Sequence, residues 1–268
     1  MTTASGLLRG RFPYVRFGAG PHTLVLLTGL ALDNEVPGTL TAQAYTHGFR
    51  RFAGTHTVYI LQRGHGLPAG ATTRDIAGDY ARLIGDEIGP ARIIGMSTGG
   101  MVAQHLALDH PGLVERLVLV VTGARLAPAG EEICRRWLDL AAAGRWRRLR
   151  GDLATAAVDG AAMRRLARLA GSLTGGATPP ATRQADFQTT VAAVLAHDTR
   201  TRLPSLEMPT LLIGGAEDPF FPAAYLRETA AAIPGATLHI HDHSGHGLPK
   251  QRSGLVQDET LAFLDRRA

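Results

Sequence analysis

Short uninterrupted apolar runs alternate with amphipathic stretches along most of the chain. Residues 23–27, 57–61 and 117–121 are runs of the kind found in strands covered on both faces, and 92–96 is a fourth, β-branched run. Between them, 75–88 places Ile76, Tyr80, Leu83, Ile84 and Ile88 on one helical stripe, capped from Thr72 or Thr73 and closed by Gly89-Pro90. A segment over 39–53 is compatible with a helix, and another runs to about 109, where His110-Pro111-Gly112 stops it. Residues 8–18 alternate loosely and end in a turn, the pattern of an edge strand. Strand then helix, repeated, predicts an α/β chain with a mostly parallel, doubly covered sheet.

Residues 124–204 break that rhythm. Four helical stretches near 130–143, 145–157, 161–173 and 181–198 follow one another, separated by glycines and by the linker 175–180, with no β-branched run among them. The alternation resumes with a strand at 210–213, a helix at 222–233, a strand at 236–241 and a helix over 253–266. The expected organisation is a core of residues 1–123 and 205–268, with 124–204 as an all-helical lid laid across the sheet's carboxyl edge.

Length and composition fit this picture. With 268 residues and 45% apolar content the chain can build one α/β domain with an insertion. No stretch approaches the roughly 18 apolar residues that span a bilayer, and the first residues lack a secretory pattern, so the expectation is a cytoplasmic protein with no membrane partner. Cys134 is the single cysteine, which rules out an intrachain disulfide; set in a helical stretch without a nearby histidine, it is a poor nucleophile. The formal charge of +5 is local, because 124–204 holds 13 arginines against 7 acidic residues and the remainder is nearly balanced. Basic stripes interleaved with aromatics are absent, so no nucleic-acid partner is expected. The surplus reads first as a solvated basic face, with a substrate bearing a remote carboxylate as the alternative.

The chemistry gathers at three strand ends. Gly95-Met96-Ser97-Thr98-Gly99 follows the run 92–96 and precedes an amphipathic segment, so Ser97 sits at an abrupt strand-to-helix corner. A Cβ at 95 or 99 would collide with the neighbouring strand and helix. A glycine-rich turn with an incidental serine carries the same five residues, so the downstream chain decides. In open α/β sheets, groups leaving the carboxyl ends of strands converge on one crevice. The run 210–213 leads to Asp218, and 236–241 leads to His246, in the chain order Ser, Asp, His.

With these pieces the chain resembles the α/β-hydrolase-fold serine hydrolases that carry a helical lid. The likeness rests on Arg63-Gly64-His65-Gly66, Gly95 to Gly100, Pro209 to Asp218, and Ser244-Gly245-His246, in that family's order and spacing. It implies Ser97 as nucleophile, His246 as the base that takes its proton, and Asp218 as the carboxylate orienting His246. Glu217 points the other way in an extended segment, Asp242 is too close in sequence to His246, and 122–124 offer no carboxylate. By the same resemblance the oxyanion hole is made by the backbone N–H groups of Leu30 and Thr98, although Thr28-Gly29 stands where the family usually has His-Gly. A serine nucleophile disfavours the alkyl-enzyme chemistry of haloalkane dehalogenases and epoxide hydrolases.

Other motifs add little. His239, His241 and His243 fall on alternate positions, but no carboxylate or cysteine pair at ligand spacing accompanies them, so no metal is expected. Gly18-Ala19-Gly20 lacks the third glycine of a dinucleotide fingerprint, so no cofactor is expected. Arg63 and His65 read as loop anchors. The lid's Trp137, Leu138, Leu140, Trp146, Leu149 and Leu153 read as packing faces, not substrate contacts. The leading functional expectation is hydrolysis of a small-molecule carboxylic ester through an acyl-serine. Lactone opening, carbon–carbon hydrolysis, perhydrolysis or a thioesterase or cyclase step on the same scaffold are alternatives, as is a ligand-binding member without turnover. A homodimer is left open.

Overall fold

The computed structural model describes residues 2–174 and 178–266; Gly175, Gly176 and Ala177 of the expected linker lie outside the described residues. Eight strands form one sheet: β1 (Ala4–Leu8), β2 (Phe12–Phe17), β3 (His22–Leu27), β4 (His56–Leu61), β5 (Ala91–Met96), β6 (Val114–Val120), β7 (Thr210–Gly215) and β8 (Thr237–His241). Their spatial order is β1-β2-β4-β3-β5-β6-β7-β8. The pairs β1–β2 and β2–β4 are antiparallel, and every later neighbour is parallel.

The long helices are α1 (Thr39–Gly48), α2 (Thr73–Glu87), α3 (Thr98–Asp109), α4 (Pro128–Ala142), α5 (Trp146–Ala156), α6 (Ala161–Thr174), α7 (Ala181–Leu195) and α8 (Ala223–Ala232), with α9 (Leu248–Gln251) and α10 (Ser253–Leu264) closing the chain. Two cores explain the uninterrupted apolar strands. Successive residues point to opposite faces, and both faces are covered. Ile93, Leu117, Leu119 and Leu212 pack beneath α2 and α3 with Leu83, Ile84, Val102 and Leu106. Their neighbours Ile94, Val118, Val120, Leu211 and Ile213 pack on the other side with Ala42, Val256 and Phe263 of α1 and α10. The start of α2 is a capping box, with Thr72 N–H donating to Asp75 Oδ2 at 2.8 Å and Asp75 N–H donating to Thr72 Oγ1 at 3.1 Å.

Three boundaries differ from expectation. The segment 8–18 is not one edge strand: it turns at Arg9 (φ 50°) and Gly10 (φ 65°), where Arg11 N–H donates to Leu8 O at 3.0 Å, so β2 lies inside and β1 takes the edge. The helix over 39–53 stops at Gly48 and continues as a 3₁₀ turn, Arg50–Gly54. Strand β8 ends at His241, and His243 sits beyond it in a left-handed conformation (φ 55°), so it does not share a strand face with His239 and His241.

Helices α4 to α7 fall between β6 and β7. They pack through a third core of Trp137, Leu140, Trp146, Leu149, Phe187 and Val191, which reaches Met101, Phe220 and Phe221 at the sheet's carboxyl edge.

Candidate active site

At the end of β5 the chain reverses into α3 through Ser97, whose φ of 52° and ψ of −120° are costly for a residue with a Cβ. The corner is pinned by backbone bonds: Ser97 N–H donates to Val120 O at 2.9 Å, and Ser97 O accepts from Gly100 N–H at 2.8 Å. A Cβ on Gly95 would lie 2.6 Å from Gly100 Cα, and one on Gly99 would lie 2.6 Å from Thr28 O. The helix and the β3 loop can therefore close on the corner only because both positions lack a side chain.

Asp218 leaves the end of β7 and is 1% exposed. Its Oδ1 accepts from the backbone N–H groups of Phe220 (2.8 Å) and Phe221 (3.3 Å), which leaves Oδ2 to accept from His246 Nδ1–H at 2.7 Å. The tautomer follows from that network, because Nδ1 faces a carboxylate and Nε2 must then accept. Ser97 Oγ–H donates to Nε2 at 2.9 Å. The three side chains singled out in the sequence thus lie in one hydrogen-bonded line. Glu217 points outward toward His243 and is two-thirds exposed. Against the imidazole, Phe220 and Phe221 pack with tilted rings whose centroids lie 4.7 and 6.2 Å away, an apolar wall on that side of the line.

Leu30 and Thr98 both border the cavity next to Ser97. Thr98 is the first residue of α3, where N–H groups have no carbonyl partner within the helix and the dipole is positive. A Cβ on Gly29 would come within 3.3 Å of Ser97 Cβ, so the loop after β3 lies directly against the serine. That loop is held from below. Buried Arg63 donates from Nη2 to Ala31 O at 2.6 Å, Asn34 Nδ2 donates to Arg63 O at 2.7 Å, and His65 Nε2 donates to Asn34 O at 2.7 Å. Burial lowers the Arg63 guanidinium pKa to about 10. Arg183 of α7 donates to His65 Nδ1 at 2.7 Å, tying the loop to the inserted helices.

The cavity over Ser97 encloses about 520 Å³. Its apolar lining comes from the inserted segment (Leu126, Trp137, Leu153, Val191, Val194) and from Phe49, Phe52 and Val256. Trp137 and Leu153 therefore border the cavity in addition to packing in the third core as expected of them, whereas Leu140, Trp146 and Leu149 serve the core alone. No arginine of 124–204 lines it; among the described lining residues the cation is Lys250, the chain's only lysine. Cys134 borders the cavity too, but burial pushes its thiol up to about 12. His239 Nδ1 and His241 Nε2 meet the same carboxylate, Glu259 of α10, at 3.1 and 3.2 Å, a partner not apparent from sequence spacing. Among the described residues no cluster of His, Cys, Asp and Glu is arranged to hold a metal, and no helix is long and apolar enough to cross a membrane.

The sequence pattern of the alpha/beta hydrolase family matches residues 24–257. The chain belongs to this family. The hydrolase is 31% identical over 270 residues to the polyketide synthase ThaQ of Burkholderia thailandensis, an alignment covering 95% of this chain but only 12% of that protein's length. It is 29% identical over 242 residues to a pimeloyl-[acyl-carrier protein] methyl ester esterase of Chromobacterium violaceum, covering 85% of this chain and 88% of the esterase. In fold it is similar to the enol-lactonase of Burkholderia xenovorans LB400, with a TM-score of 0.78, 22% identity, and coverage of 98% and 100% of the two chains. The chain is an alpha/beta hydrolase enzyme.

Proposed function

We propose that this hydrolase cleaves a carboxylic ester of a small, largely apolar molecule through an acyl-Ser97 intermediate. The observation that carries the reading is the line from Asp218 Oδ2 through His246 to Ser97 Oγ, 2.7 and 2.9 Å, opening onto an apolar cavity. Ser97 Oγ attacks the ester carbonyl as His246 Nε2 takes its proton, and buried Asp218 stabilises the imidazolium. The oxyanion is received by the N–H groups of Leu30 and Thr98, each donor contributing about 3 kcal/mol to the transition state. His246 then protonates the departing alcohol, and a water activated by the same imidazole releases the acid. Helices α4 to α7 act as the lid whose inner face sets the acyl group accepted, and its apolar lining favours an uncharged acyl chain over one with a remote carboxylate.

The match of nearly the whole chain to a stretch of a polyketide synthase favours a second reading, with a thioester as the bond cleaved. The two share every step up to the leaving group. Labelling with a fluorophosphonate, with the adduct located by mass spectrometry, should place the probe on Ser97 and fail in Ser97→Ala. Turnover of p-nitrophenyl hexanoate against hexanoyl-N-acetylcysteamine separates the readings by kcat/KM. A Ser97→Ala protein that still hydrolyses both would overturn them.

A further inference from the structure

The loop joining α5 to α6 reaches across the carboxyl edge and lies on the segment that carries His246. Asp159 Oδ2 accepts from Gly245 N–H at 3.0 Å, a contact spanning 86 residues of sequence. From the other side the Gln251 amide, oriented to satisfy both partners, donates to Asp159 Oδ2 at 3.0 Å and accepts from Asp159 N–H at 2.7 Å. The glycines on either side of His246 record the same contact. A Cβ on Gly245 would lie 2.5 Å from Asp159 Oδ1, and one on Gly247 would lie 3.0 Å from Ala157 O and 3.1 Å from Val158 Cα. Asp159 and His246 also border one small recess.

We propose that Asp159 is a positioning residue: it latches the inserted helices to the histidine loop, so that His246 is aligned on Ser97 only while this part of the lid is seated. The latch presupposes the proposed role of His246 as the base that activates Ser97. The imidazole must keep both ring nitrogens in register, and a shift of about 1 Å can cost catalysis heavily. Its backbone is otherwise held mainly from the sheet side, where Ser244 O accepts from Glu217 N–H at 2.9 Å. On the lid side Asp159 supplies a charged acceptor, the stronger kind of hydrogen bond. The seat is also reversible. Asp159 Oδ1 is buried without a donor among the described residues, so lifting the loop hydrates that oxygen and offsets the bond given up. A substrate that seats the lid thereby completes the alignment of the base.

The test is a double-mutant cycle on the full chain. Asp159→Ala should lower kcat on p-nitrophenyl hexanoate about tenfold with KM changed less than twofold. It should slow phosphonylation of Ser97 by the same factor, and broaden the downfield proton resonance of His246 Nδ1–H. Asp159→Asn, which keeps an acceptor for Gly245 N–H, should recover most of the loss. Gly245→Ala should cost a similar factor alone and almost nothing in the Asp159→Ala background, because the remaining neighbour of the new Cβ is Glu217 O at 3.5 Å. Wild-type kcat and resonance in Asp159→Ala, or an equal cost of Gly245→Ala in both backgrounds, overturns the latch. If Ser97→Ala is dead while Asp159→Ala behaves as wild type, the latch alone fails; if Ser97→Ala is active, the underlying reading fails with it.

Discussion

Three buried histidines away from the cavity make the fold itself sensitive to acid. His56 and His105 have their pKa lowered to about 4, and His197 to about 3, with burial the leading cause in each. Their partners reinforce it. His56 Nε2 accepts from Arg92 Nη1 at 2.9 Å, and His105 Nδ1 accepts from Arg202 Nη1 at 3.2 Å, so protonation would set two cations against each other. His197 bonds Thr73 Oγ1 through Nδ1 at 2.9 Å, its ring packs edge-on against His105 at 5.2 Å, and its Nε2 is buried without an acceptor among the described residues.

The sign follows from linkage. The folded values lie below the unfolded value near 6.5, so at any pH between them the unfolded chain binds more protons, and acid favours unfolding. No penalty exists above about pH 7; it grows as pH falls through 6.5 and levels off only near the folded values of 3 to 4. At pH 5 each histidine costs about 2 kcal/mol, and the three together about 6, comparable with the whole stability of an ordinary domain at about 5–15 kcal/mol. Urea unfolding at pH 8 and pH 5 measures this. Wild type should lose about 6 kcal/mol across the interval, and His56→Gln, His105→Asn and His197→Asn, which keep an equivalent hydrogen-bonding atom, should each lose about 2 kcal/mol less. Should each variant show the same pH 8 to pH 5 difference as wild type, the protons that destabilise the fold are taken up elsewhere.

Further outcomes follow from the site. Asp218→Asn keeps the shape but offers His246 an amide, and should cut kcat by about 10⁴ while thermal melting moves little. Gly99→Ala sets a Cβ against the Thr28 and Leu27 backbone, which cannot swing aside, and should cost about 3 kcal/mol or more by urea titration. Gly29→Ala meets Ser97 Cβ at 3.3 Å, Met96 O at 3.5 Å and Ser97 Oγ at 3.8 Å, so it should fold normally yet lose kcat; equal melting points for the two alanine variants would sink the distinction. Trp137→Ala enlarges the cavity beneath the inserted helices and should move the best p-nitrophenyl ester to a longer acyl chain, an outcome refuted by an unchanged chain-length profile.

What the sequence discloses and what it hides have different physical origins. Strands β3 to β7 are legible because burial on both faces demands consecutive apolar residues, and the corner at Ser97 because its backbone tolerates no Cβ at 95 or 99. Asp218 and His246 are legible because topology sends the ends of parallel strands to one edge. The β1 hairpin is not, since Ala4–Leu8 is an exposed edge with little alternation and turns through an arginine at φ 50°. Nor is the facing of Trp137 and Leu153: a helical stripe looks the same whether it meets another helix or an empty cavity. The contact of Asp159 with Gly245 joins segments 86 residues apart and leaves only one local trace, a glycine on each side of a histidine.

Backbone strain is concentrated at the sheet's carboxyl edge, where Ser97, His246 and Asp218 meet. Of the non-glycine residues with positive φ, Arg9 closes the outer hairpin, whereas Asn34, Ser97, Val121 and His243 lie in the loops that follow β3, β5, β6 and β8. Val121 is the costliest by residue type, a β-branched side chain at φ 44°. It is held there by its N–H donating to Ile213 O at 2.8 Å, and its side chain forms part of the cavity wall. Each such residue costs about 1–3 kcal/mol, so the carboxyl edge is a net drain offset by the two apolar cores on the sheet's faces. A fold selected for stability alone would relax these loops with glycine. Retaining side chains there keeps Ser97 projecting, Asn34 bracing the loop after β3, and Val121 in the cavity lining.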